Sequence, residues 1–180
     1  MRSAEGRGGQ SGGHGLRRFA LRVWGKLPAG AKRFSVRFRE ASFLVGVIGV
    51  VVDSDGRVLL FRHTYRPFAP WGLPSGHLRP DETPAEAIVR EIDEETGLVA
   101  ESERTLEIRA GRRPRRLDVW LLCRVAGGTL RLGAEVEEVR FFPLDGLPDL
   151  IAEQARFLAE HRDLLLAASR AHRVAPDGVT

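Results

Sequence analysis

Apolar residues in the first forty positions recur at helical spacing only once. Leu16, Phe19, Ala20, Val23 and Leu27 share a stripe at about 100° per residue, with Arg18, Arg22 and Lys26 opposite, which predicts a short basic amphipathic helix ending near Pro28. Residues 1–15 are Gly, Ser and polar side chains with nothing to bury, and are expected to be disordered. From residue 42 the pattern changes to a β-branched, aliphatic strand over 42–52, a tight turn at Asp53, Ser54, Asp55 and Gly56, and a second apolar strand over 57–62. An opening hairpin is the expectation. Residues 65–76 follow as an irregular loop of Pro, Gly and Trp. Thr83, Pro84 and Glu86 then read as a capping box with proline at the first helical position, and Gly97 stands where a glycine ends a helix, so a helix is predicted over 84–96. Strands are expected over 105–109, 117–125 and 139–143, the first two joined by the turn 111–116, and an amphipathic helix over 149–168. The order β, β, α, β, β, β, α predicts an α/β fold in which helices sandwich a mixed β-sheet, with a domain over 41–168 and a flexible tail over 169–180.

The helix over 84–96 is the chemically unusual element. Ala85, Ile88 and Ile92 form the stripe that docks it to a sheet. Glu91, Glu94 and Glu95, at i, i+3 and i+4, converge within one turn, where like charges repel by a few tenths of a kcal/mol per pair. Glu94 and Glu95 also sit in the last turn, where the helix dipole favours cations. A compensating cation is called for. A hard divalent ion, Mg²⁺ or Mn²⁺, takes carboxylate oxygens and keeps waters free for a phosphate. The alternative is a solvated acidic face on which Arg90 pairs with Glu86 and Glu94.

The flanks decide between them. Gly76, five residues, Glu82, seven residues, then Arg90, Glu91, Ile92, Asp93, Glu94, Glu95, Thr96, Gly97 and Leu98 together resemble the Nudix box of the Nudix (MutT-like) pyrophosphohydrolases, with all seven fixed residues and both bulky aliphatic positions present. Chance agreement is on the order of 10⁻⁷ over such a chain. The run over 135–145 that leads into the last helix is similar to the rest of such domains, so the resemblance extends from about residue 42 to 165. It implies an α/β/α sandwich that hydrolyses a nucleoside diphosphate linked to a moiety X: a nucleotide-sugar, an ADP-ribose-like molecule or a (d)NTP. It also implies Glu91 and Glu95 as principal metal ligands, Glu94 as an additional one, the main-chain carbonyl of Ser75 as another, and Arg90 as the residue that orients carboxylates. Glu91 serves as ligand or base. A base outside the box is usual in the family, and Glu135 is the expected one, with Glu138 second. Glu82 is expected to hold Arg90 or a metal-bound water, Gly76 to permit a sharp turn and Gly97 to stop the helix. Two other readings are an RNA 5′-end pyrophosphohydrolase and a non-catalytic nucleotide-sensing module; a pure sensor has no reason to keep three mutually repelling carboxylates.

Composition adjusts this picture at the ends of the chain. The formal charge is +4, but residues 1–40 carry ten Lys or Arg against two Glu, which leaves the remainder at −4. A basic arm thus precedes a mildly acidic body. The arm offers a route to nucleic acid or an anionic membrane surface, while packing on the body or on a twin subunit in a homodimer is the simpler expectation. Arg112, Arg113, Arg115 and Arg116 crowd one turn around Pro114; a solvated turn is expected there rather than a substrate contact. Trp71 is expected to pack, His77 to face solvent and Cys123 to fill core, while His63, Tyr65 and Arg66 stay unassigned. A lone cysteine forms no internal disulfide or cysteine metal site, and neither a signal-peptide core nor a membrane-length apolar run is present, so a cytoplasmic protein is expected.

Overall fold

The computed structural model describes residues 43–112 and 115–174. The expected arm helix, the Gly-rich tail, residues 175–180 and, in the arginine turn, Arg113, Pro114 and the Arg112 side chain lie outside the described residues. In chain order the elements are β1 (Leu44–Val51), β2 (Arg57–His63), β3 (Trp71–Gly72), β4 (Ser75–His77), α1 (Pro84–Thr96), β5 (Leu98–Arg112), β6 (Arg115–Gly128), β7 (Val136–Pro143), α2 (Ala152–Glu160) and α3 (Arg162–Val174).

The strands form two sheets, ordered β4-β1-β6-β5 and β3-β2-β7. The first is mixed, since β1 runs parallel to β6 and antiparallel to β4. The expected opening hairpin is therefore corrected: β1 and β2 meet only at a Val52–Val58 bridge and then part into different sheets. Both edges of β1 are taken by β4 and β6, which leaves β2 to pair with β3 and β7 in the other sheet. The turn itself is as expected, with Asp53 Oδ1 accepting from the amides of Asp55 and Arg57 at 2.9 and 2.8 Å and Gly56 at φ +79°.

Side chains alternate between two cores. Val47 and Val51 of β1, with Val119, Leu121 and Cys123 of β6, pack under α1 through Ile88 and Ile92. Ile48, Val50 and Val52, with Trp120 and Leu122, pack under Phe157, Leu158 and Leu165 of the C-terminal helices. The result is the expected α/β/α sandwich. Helix α1 sits very close to β1: a Cβ on Gly49 would come 2.9 Å from Ile88 Cγ1. Its start is the predicted capping box, with Thr83 N donating to Glu86 Oε2 at 2.7 Å and Glu86 N to Thr83 Oγ1 at 3.3 Å. Its end is Gly97 in the left-handed region, φ +71°.

The single C-terminal helix expected over 149–168 is two helices that break at His161. There Phe157 stacks between Trp120 and His161 at ring distances of 3.9 and 4.0 Å. The second runs six residues past Ala168 into the stretch expected to be a tail, where His172 meets Glu103 at 2.5 Å and Arg173 donates to Ser54 O at 2.8 Å. No helix of the described residues is long and apolar enough to cross a membrane. Because Ile88 is fully buried in the helix–sheet seam, Ile88→Ala is expected to lower unfolding free energy by about 2–5 kcal/mol in urea titrations, and a loss below about 1 kcal/mol would contradict this packing.

Candidate active site

Glu91 lies on a glycine. A Cβ at Gly76 would stand 2.0 Å from the Glu91 carboxyl carbon, so only glycine in β4 leaves room for that side chain. Gly76 does not occupy the positive-φ region. Its expected role as a turn-former is thus corrected to one of close approach. The amide of the next residue, His77, donates to Glu91 Oε1 at 3.3 Å. Ser75, one residue before Gly76 in β4, pairs with Ile48 of β1.

Arg90 ties the surrounding carboxylates together. Its Nε and Nη2 donate to Glu82 at 2.6 and 3.1 Å, Nη2 also to His77 O at 3.1 Å, and Nη1 reaches Glu91 at 2.9 Å and Glu94 at 3.2 Å. This fork raises the Arg90 pKa, chiefly through Glu82, and holds the Glu82 carboxyl down at about 2. Arg79, which sequence reasoning missed, grips Glu94 with both terminal nitrogens at 3.1 and 3.0 Å and lowers its pKa by that hydrogen bonding. Glu86 belongs to the cap, so of the alternative in which Arg90 pairs with Glu86 and Glu94 only the Glu94 pair is present.

Glu95 keeps one carboxylate oxygen unpaired. Its Oε2 is buried and accepts no hydrogen bond. Burial, then the charges of Glu91 and Glu135, push its pKa up to about 7, with Arg66 opposing them. Glu135 comes close because the loop before β7 closes over the end of α1: Arg131 N donates to Thr96 O at 2.7 Å and Gly133 N to Glu95 O at 2.8 Å. Gly133 allows this, since a Cβ there would lie 3.2 Å from Glu94 O. The structure therefore brings Glu91, Glu94, Glu95 and Glu135 into one electrostatic cluster. Glu138 is not among the charges acting on Glu95, and pairs with Arg140 on β7.

Among the described residues no three His, Cys, Asp or Glu side chains stand at mutual metal-ligand spacing, for Glu91 and Glu94 are turned onto arginines. The donor set nevertheless fits a hard cation: oxygen only, with one buried oxygen unpaired. A cavity of about 940 Å³ bordered by Val52, Glu103, Ala168 and His172 lies elsewhere and contains none of these carboxylates. Trp71 packs edge-on against Phe142 and Cys123 is fully buried, its thiol pKa pushed up to about 12, both in core roles as expected.

Comparison with known proteins agrees with this geometry. Residues 42–162 match the NUDIX domain. The chain belongs to the Nudix family. It is 30% identical over 151 residues to an ADP-ribose pyrophosphatase of Methanocaldococcus jannaschii, covering 79% of this chain and 89% of that protein. It is 33% identical over 126 residues to the human 8-oxo-dGDP phosphatase NUDT18, covering 67% of this chain but 38% of that one. Among solved structures, an ADP-ribose pyrophosphatase from Streptococcus suis superposes with a TM-score of 0.59 at 30% identity, covering 72% of this chain and 93% of the other. This Nudix chain is accordingly a hydrolase of phosphorus-containing anhydrides.

The raised Glu95 pKa has a definite sign. Unfolded, the group ionises near 4.5, whereas the metal-free folded protein holds its proton to about 7. Its contribution to stability is thus complete below the lower value and is lost as pH rises through the upper one. In EDTA, Glu95→Gln is expected to raise Tm over the parent at about pH 8 and to match it near about pH 4; equal Tm values at the higher pH would contradict the buried, unpaired carboxylate.

Proposed function

We propose that this Nudix hydrolase cleaves the diphosphate of a nucleoside diphosphate linked to a moiety X, with an ADP-ribose-like molecule as the favoured substrate, in a divalent-metal-dependent reaction in the cytoplasm. The observation that carries the reading is the Glu95 oxygen, buried and unpaired among Glu91, Glu94 and Glu135. Such a group is unfavourable unless a cation arrives. The pyrophosphatase names of the two relatives matched over most of their length favour the substrate class.

The residues divide the work. Glu91, Glu95 and the carbonyl of Ser75 would hold Mg²⁺ or Mn²⁺, with Glu94 additional; a divalent ion there supplies charge neutralisation to the diphosphate and acidity to a water. Arg90, itself fixed by Glu82, holds Glu91 in place over Gly76. Glu135, exposed on the loop before β7, takes the proton of the attacking water on its carboxylate. Arg66, whose charge acts on Glu95 and whose Nη1 lies buried and unpaired over Gly72, presents the rest of its guanidinium to the non-bridging phosphate oxygens. Attack falls on phosphorus, so the bond from phosphorus to the bridging oxygen breaks and two phosphate monoesters leave.

The test is a panel of ADP-ribose, nucleotide-sugars and nucleoside triphosphates, incubated with Mg²⁺ in ¹⁸O-water and analysed by mass. Label is expected on a phosphate product only, and Glu91→Gln is expected to lower kcat by at least ~10²-fold. Label on the carbon of X, or near-parental turnover of the variant, would overturn the reading.

A further inference from the structure

The end of β2 and the loop that follows hold polar atoms without a partner. His63 is 2% exposed, and both its ring nitrogens are buried with no hydrogen bond. Arg66 Nη1 is buried and unpaired beside it. Gln154 of α2, 4% exposed, accepts through Oε1 from the amide of Leu73 at 3.0 Å. All three side chains meet over Gly72. A Cβ there would lie 2.6 Å from Arg66 Nη1, 3.2 Å from His63 Nε2 and 3.3 Å from Gln154 Oε1.

The backbone builds this meeting point deliberately. The β2–β7 ladder slips register between Arg62 and His63, a bulge of the kind that re-aims a side chain. The loop after the bulge is closed by His63 N donating to Pro70 O at 2.8 Å, and is tied to the candidate base by Thr64 N donating to Glu135 O at 3.0 Å. The His63 ring lies 5.3 Å from that of Tyr65, over which the Arg66 guanidinium stands at 5.5 Å. An apolar ring would fill the His63 position without stranding two nitrogens. A neutral imidazole, however, carries one acceptor nitrogen, which is what an unpaired guanidinium N–H beside it lacks. Burial and the nearby Arg66 charge lower the His63 pKa to about 4, so the ring is neutral and does not repel the guanidinium.

We infer that His63 is a positioning residue: in the space left by Gly72 its acceptor nitrogen takes the Arg66 Nη1 N–H through a small side-chain shift from the unpaired arrangement, which keeps the guanidinium where its charge acts on Glu95, so that a substrate diphosphate meets a cation already in place. The consequence for substrate rests on the reading of Arg66 as a diphosphate contact. The positioning itself does not.

Three variants and one control test it. His63→Phe keeps the ring and removes the acceptor; Gly72→Ala pushes a methyl onto Nη1, the far end of a flexible side chain; Arg66→Ala removes the positioned group. His63→Gln retains an acceptor oxygen. In crystal structures of His63→Phe and Gly72→Ala the guanidinium is expected to leave the carboxylate cluster. KM for the substrate cleaved best is expected to rise about tenfold in each, with kcat changed by less than about twofold. Neither change should add to the effect of Arg66→Ala, since residues acting through one group are non-additive. His63→Gln should keep KM within about threefold of the parent. A guanidinium that stays in place in His63→Phe, or a KM effect that persists in the Arg66→Ala background, overturns the role of His63 whatever the substrate is. A displaced guanidinium with unchanged KM upholds the positioning and overturns only the diphosphate contact of Arg66.

Discussion

Burial, a helix C-terminus and neighbouring carboxylates all oppose ionisation of Glu95, yet the fold spends several devices to put it there. Helix α1 is pressed onto β1 so tightly that Gly49 admits no larger residue, its start is capped on both sides, and its end is closed by a loop that brings Glu135 to the same place. Each device would be simpler without the acid. An oxygen that folding leaves buried and unpaired is the kind of local disagreement expected at a functional site, where stability is given up to poise a group for a ligand.

Arginines keep the remaining negative charge tolerable without covering Glu95. Arg90 gathers Glu82, Glu91 and Glu94; Arg79 holds Glu94 from the other side. The exposed Arg79–Glu94 pair adds little to stability, whereas the half-buried Arg90 contacts with Glu82 and Glu91 fix carboxylate rotamers beside a buried oxygen. Glu94 is the more exposed member and doubly held, whereas Glu91 rests on Gly76 with a single guanidinium contact. The proposed division of labour, Glu91 and Glu95 as principal ligands and Glu94 as the supplementary one, uses that ordering.

Much of this was legible in the residues. Thr83, Pro84, Glu86 and Gly97 marked the helix by local chemistry, and the periodicity of Ile88 and Ile92 marked its buried face. Features set by distant contacts were not legible. The parting of β1 from β2 depends on which strands lie alongside, and apolar runs do not encode that. The break at His161 depends on Phe157 finding Trp120 across the core. Gly76 was visible as a fixed glycine, but its reason, the carboxyl group of a residue fifteen positions later, required the fold. Arg66 and Arg79 lie in loops, where no period tells which way a side chain turns, although the clustering of His63, Tyr65 and Arg66 just past a strand end was a signal that ligand-facing loops give.

The central claim is that the carboxylates at the end of α1 form a cation site completed by metal rather than by protein. Anomalous scattering from crystals soaked in Mn²⁺ measures this directly. The expected result is manganese among the oxygens of Glu91 and Glu95, with Glu91 released from Arg90 and the Glu95 oxygen no longer unpaired. Manganese bound only elsewhere, with Glu95 still buried and unliganded, would contradict it.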